Sequence, residues 1–108
     1  REELAPVQGS SLAWFGAVPT GKTAEYKLTF KNVTDRPIGI RGFRSPTKRV
    51  VVKWNKARVA PQEDVEFTIQ LTPDREGYTS DHVDIETDSR NQPTVQVSVM
   101  FIGQKKSS

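Results

Sequence analysis

Between Val65 and Leu71 the chain alternates without a fault. Val65, Phe67, Ile69 and Leu71 are apolar, and Glu66, Thr68 and Gln70 separate them. The same period recurs at Tyr26, Leu28 and Phe30, with Lys27, Thr29 and Lys31 in the gaps, and again at Val95, Val97, Val99 and Phe101. A period of two sends successive side chains to opposite faces of a strand, so each segment predicts a half-buried strand with one face in a core and one in water. Nowhere do apolar residues recur at the three- and four-residue spacing of an amphipathic helix. The chain is therefore constrained to pack sheets against sheets.

The remaining strands follow from turn chemistry. Leu12–Val18 reads as a first, edge strand in which Gly16 suits a bulge. Pro19-Thr20-Gly21-Lys22 and Asn32–Pro37 read as turns around the Tyr26 strand. Ile38 and Ile40 share a face with Phe43 out of phase, which predicts a bulge near Gly42. Val50, Val52 and Trp54 share a face in the run Arg49–Trp54, whose β-branched residues disfavour helix. Val83 and Ile85 point inward from Tyr78–Asp88, and Asp88–Pro93 is a polar hairpin loop. The expected fold is all-β: an immunoglobulin-like antiparallel β-sandwich of about seven strands, occupying residues 12–103. Residues 1–11 read as a flexible lead-in and 104–108 as a disordered tail.

A chain of 108 residues fits one domain and buries enough apolar surface to fold without staples. It contains no cysteine, which excludes disulfides, thiolate metal sites and a cysteine nucleophile. Apolar residues are only 34% of the chain, as a thin sandwich with wet outer faces requires. No apolar run approaches the length of a membrane-spanning helix. The first residue is Arg1 rather than methionine, and this reads as a processed product or an excised fragment.

The net charge of +3 conceals a segregated pattern. No acid occurs from Arg36 to Gln62, a stretch holding Arg36, Arg41, Arg44, Lys48, Arg49, Lys53, Lys56 and Arg58. Acids then dominate from Glu63 to Asp88, opposed only by Arg75. If Ile38–Phe43 and Arg49–Trp54 pair as a hairpin, Arg41, Arg44, Lys48, Arg49, Lys53 and Lys56 become a candidate anion-binding patch for an acidic glycan or nucleic acid. The competing reading is a solvated face balanced by neighbouring acids, with edge lysines that discourage strand pairing. The acidic half also suits weak head-to-tail self-association. Adjacent Trp14 and Phe15 are candidate partner contacts: a regular strand exposes one of them, and a bulge at Gly16 buries both.

His82, Asp84 and Glu86 alternate along one strand, but a single histidine with two carboxylates is also the appearance of an ordinary wet strand face. Ser80 beside His82 lacks the third orienting group of a triad. Asn32-Val33-Thr34 matches a glycosylation sequon, and Asn32 equally suits a strand end at which it bonds turn backbone. No catalytic residue, metal or cofactor is expected.

The order of these features resembles the bacterial DUF1573 domains, within the wider immunoglobulin-like group that includes the ASH and MSP (major sperm protein) types. Phe15-Gly16-Ala17-Val18 followed by Gly21 is similar to that family's opening. Phe30-Lys31-Asn32 resembles the end of its second strand, and Pro37-Ile38-Gly39-Ile40 the segment after it. Val59-Ala60-Pro61-Gln62-Glu63 stands where the family has a proline-glycine turn, with Gln62 in place of glycine. Gly77 and then Ile85-Glu86-Thr87-Asp88 complete the likeness. Ser45-Pro46-Thr47-Lys48 occupies the place of a cysteine pair found in many members, so any redox or metal role of that pair is lost. The resemblance implies a non-enzymatic module that binds another protein or a neighbouring domain, or acts as a spacer. It implies a larger bacterial protein of the periplasm, the cell surface or the secreted fraction; a cytoplasmic domain of the ASH or sperm-protein type is the alternative.

Overall fold

The computed structural model describes residues 2–106. Among them are nine strands: β1 (Leu4–Pro6), β2 (Leu12–Pro19), β3 (Ala24–Asn32), β4 (Ile38–Arg44), β5 (Val50–Trp54), β6 (Arg58–Val59), β7 (Asp64–Leu71), β8 (Gly77–Thr87) and β9 (Thr94–Gln104). They form a four-stranded sheet in the order β1-β3-β7-β5 and a five-stranded sheet in the order β2-β9-β8-β4-β6. The two sheets face each other as an immunoglobulin-like sandwich 52 Å long and 22 to 23 Å in its other dimensions.

The alternating segments do what their period dictates. Leu28, Phe30, Val65, Phe67, Ile69, Leu71, Val83, Ile85, Val97, Val99 and Phe101 are all at most 1% exposed and fill the space between the sheets. Within it Phe30 and Phe67 meet edge to face, with ring centroids 5.6 Å apart and planes at 80°. The two predicted bulges are present. The β2–β9 register shifts between Trp14 and Ala17, where Gly16 takes φ of 66°. The β4–β8 register shifts between Ile40 and Gly42, which returns Phe43 to the core side after Ile38 and Ile40.

Four expectations need correction. Residues 4–6 of the expected flexible lead-in form β1, antiparallel to β3, with Leu4 buried. Three residues are too few to display a period, so β1 left no mark in the hydropathy pattern. The sandwich is not wholly antiparallel, because β2 runs parallel to β9. Alternation is identical in the two orientations and cannot report direction. β4 and β5 do not make a hairpin; they lie in different sheets, and β8 and β7 are their respective partners. Finally, the expected tail does not begin at residue 104, which is still in β9. Gly103 is buried and β9 continues to Gln104, whose carbonyl accepts a hydrogen bond from the Thr20 amide at 3.0 Å. A Cβ on Gly103 would lie 1.8 Å from the Arg75 carbonyl oxygen, so only glycine permits this approach. Residue 1 of the lead-in and residues 107–108 of the tail lie outside the described residues.

Candidate interaction surfaces

Asn32 ends β3 at the core boundary and is fully buried. Its amide nitrogen donates to the carbonyls of Arg36 at 2.7 Å and Val59 at 3.0 Å. Its side-chain oxygen accepts from the Thr34 amide at 3.0 Å and the Thr34 hydroxyl at 2.6 Å. The residue therefore organises the β3–β4 turn, as its turn chemistry predicts, and its nitrogen is closed to glycosylation in the folded chain.

At the same end, Glu3 fastens β1 to the β8–β9 loop. Its carboxylate accepts from the Ser89 hydroxyl at 2.6 Å and the Asn91 amide at 2.7 Å, and Arg36 approaches to 3.6 Å. Those two hydrogen bonds hold Glu3 below the ordinary glutamate range against the opposing effect of burial, and Arg36 adds attraction. In return the Gln92 side-chain oxygen accepts from the amides of Glu3 and Leu4 at 2.7 and 2.8 Å. An open cleft of about 660 Å³ lies beside this clasp, bounded by Glu3, Arg36, Asp88 and Arg90. The Glu3 oxygens are already engaged, so the carboxylate is a fastening rather than a poised acid or base. Glu3, Ser89, Asn91 and Gln92 carry no sequence signal, because each is an ordinary polar residue until the fold joins them. Among the described residues no group of three histidine, cysteine, aspartate or glutamate side chains converges on a metal-sized space.

The six candidate anion-binding residues do not share one face. Arg49 is only 10% exposed; its Nε donates to Asp74 at 2.9 Å and its Nη1 to Asp81 at 2.7 Å. Burial opposes its charge, and the hydrogen bonds from Arg49 to Asp81 and Asp74 outweigh burial and keep the guanidinium charged. Asp74 is held below its ordinary range by the same hydrogen bond from Arg49. Arg44 pairs with Glu86 at 2.9 Å, and Lys56 approaches Glu63 at 3.5 Å. Glu63 is lowered chiefly by its bond from the Ala60 amide, with Lys56 contributing. Three of the basic residues are thus neutralised by acids of the following segment within the chain. Arg41 on β4, Lys48 in the β4–β5 loop and Lys53 on β5 form no ion pair among the described residues.

The aromatic pair divides. Phe15 packs on the core and tilts against Tyr26, with centroids 5.8 Å apart, whereas Trp14 is 45% exposed. The bulge at Gly16 therefore does not bury both. Trp14 lies opposite Met100, and Ile102 lies opposite both Ala17 and Tyr78. Tyr78 is 63% exposed. These side chains gather on the outer face of the β2-β9-β8 corner, where Ser80 is also exposed and none of these side chains is charged. Farther along the same face Asp84, Glu86 and Arg44 restore charge. Sequence reading found Trp14 but not Tyr78, Met100 and Ile102, because only the register brings them beside it.

The sequence matches the family model of ASH, the abnormal spindle-like microcephaly-associated, ASPM-SPD-2-Hydin domain, over residues 4–95. The chain belongs to the ASH family. Among solved structures, this ASH domain is similar to the ASH/PapD-like domain 7 of human CEP192, with a TM-score of 0.71 and 11% identity over 97% of this chain and 87% of that one. It is similar to WR4, an MSP family member of C. elegans, with a TM-score of 0.57 and 6% identity over 96% of this chain and 100% of the other. It also matches a protein of unknown function from Porphyromonas gingivalis W83, with a TM-score of 0.74 and 13% identity over 86% of this chain. There it spans only 44% of the longer chain. At such identities the likeness is one of fold. No curated protein matches the sequence. The family model shows the ASH membership, the likeness to the MSP family member is one of fold, and the ASH/PapD-like fold is typically a non-enzymatic, protein-interacting domain.

Proposed function

We propose that this ASH domain is a non-catalytic protein-interaction or spacer module of a larger bacterial envelope or secreted protein, of the kind its resemblance to DUF1573 domains implies. The observation that carries the reading is the uncharged corner where Trp14, Tyr78, Met100 and Ile102 are exposed together or half-exposed. Tryptophan, tyrosine and methionine are enriched at protein interfaces, and a charge-free centre suits desolvation against an apolar partner surface. The anionic-polymer alternative now rests on Arg41, Lys48 and Lys53, which are divided between a loop and two sheets. Intramolecular pairing of Arg44, Arg49 and Lys56 removes much of the charge available for head-to-tail association as well.

The test places a photo-crosslinking amino acid at position 14 of the full-length parent protein in its own cell. A defined protein or a flanking domain should be captured there, and not from position 27 on the other sheet. Substituting Tyr78→Ala should weaken direct binding of the purified captured protein about tenfold, as expected of an interface anchor. Equal labelling from both positions, or no product from either, rejects the reading.

A further inference from the structure

β5 closes the four-stranded sheet, and among the described residues no strand lies on its far side. Its register with β7 fixes which main-chain groups are free. The Thr72 amide donates to the Arg49 carbonyl at 2.9 Å, and the Asn55 amide donates to the Glu66 carbonyl at 3.2 Å. Between these bonds lie the pairs Val51 with Gln70 and Lys53 with Thr68. Hydrogen-bonded and open pairs alternate along an antiparallel ladder, so Val51 and Lys53 turn their amides and carbonyls toward β7. Val50, Val52 and Trp54 turn theirs outward, off the edge of the sheet.

The other edges are protected. β1 has three residues and ends in Pro6, and β6 has two. β2 is broken by its bulge, and β4 bulges beyond the short stretch that β6 covers. β5 alone offers five residues in continuous register without proline or glycine. Its outer face presents Val51, 39% exposed, beside Lys53.

We propose that β5 is a strand-addition site that accepts an extended acidic segment of a partner protein, hydrogen-bonded to the main chain of Val50, Val52 and Trp54. The proposal rests on the interaction-module reading and adds to it a surface and a partner chemistry. Charge selects the occupant. Lys48, just before β5, and Lys53 on it are exposed and form no ion pair among the described residues. A second copy is disfavoured: two β5 strands set antiparallel about Val52 place Lys48 opposite Lys56 and join two basic edges. In that pairing Lys53 faces only Val51 of the other copy, whereas a foreign strand can set glutamate or aspartate opposite Lys53 and be attracted to it. Residues facing Val50 and Val52 point toward the core side and are therefore apolar. The ligand is an alternating apolar and acidic strand, and main-chain bonds supply affinity while the alternation supplies selectivity.

The probe is acetyl-Glu-Val-Glu-Val-Thr-Val-Glu-amide, titrated into the isotope-labelled chain and followed by amide shifts and hydrogen exchange. The amides of Val50, Val52 and Trp54 should move downfield and gain protection, while those of Val51 and Lys53, already bonded to β7, change little. A peptide with lysine in place of glutamate should bind about fivefold more weakly, and Lys53→Glu should reverse that preference. Shifts without this alternation, reproduced by polyphosphate or heparin, mean a charge patch and overturn strand addition. Absence of any protected edge amide at saturating peptide overturns it too. A chain that still cross-links through position 14 under those outcomes keeps the interaction-module reading and loses only this edge.

Discussion

Gln62 occupies a conformation that its side chain resists. Its φ is +66°, the left-handed region in which a Cβ crowds the following carbonyl, at a cost of about 1 kcal/mol. It is the only non-glycine with positive φ among the described residues. What holds it there is local bonding: its amide donates to the Asn32 carbonyl at 2.8 Å, and its side chain reaches the Thr34 carbonyl at 3.3 Å. The substitution Gln62→Gly keeps the first bond and loses the second, which is exposed. It should raise the melting temperature by about 3–5 °C in a thermal scan, and Gln62→Val should lower it. The resemblance of this turn to a proline-glycine turn leads to the expectation of glycine here, and the backbone supplies the reason.

At the scale of the strand, Arg49 decides where β5 sits. It leaves the start of an edge strand in one sheet and reaches Asp81 on β8 in the other, a bridge in which both side chains are nearly buried, at 10% and 12% exposure. Replacing Arg49 by methionine keeps the stem and strands the Asp81 carboxylate. The expected loss is about 2–3 kcal/mol, below the range for a fully buried pair because Asp74 is exposed and water reaches the site. Asp81→Asn should cost less, and the double variant should recover part of the loss in a denaturant-unfolding cycle.

Such a role is invisible in a sequence, where Arg49 looks like one more member of a basic run. Strands with strong alternation, such as β3, β7 and β9, were legible because burial of one face dictates their residue types. Sheet membership, the parallel direction of β2 and the existence of β1 were not, since each depends on partners far along the chain. The candidate site was legible only at Trp14; its companions Tyr78, Met100 and Ile102 are ordinary outward residues until register assembles them.

For the whole molecule, the pH dependence of stability follows from carboxylates whose folded form favours the charge. Glu3, Glu63 and Asp74 are all lowered, mainly by the hydrogen bonds they accept. A lowered folded value means that the unfolded chain binds protons first as acid is added. The stabilisation is therefore complete above the unfolded values and disappears as pH falls through the folded ones. Melting temperature should stay level from neutrality to about pH 5 and then decline. Glu3→Gln should make the acid decline shallower, and it should loosen β1 selectively, seen as faster amide exchange at Leu4 while β7 stays protected.

β9 is the last of the described strands in chain order and yet lies inside its sheet, between β2 and β8. Until it emerges from the ribosome, β2 has no strand to pair with and β8 lacks its longest ladder. The edge of β2 therefore stays unpaired while β3 to β8 are made, open to any chaperone or neighbouring strand. The five-stranded sheet can close only after β8, when β9 inserts between it and a β2 that has waited since early in the chain.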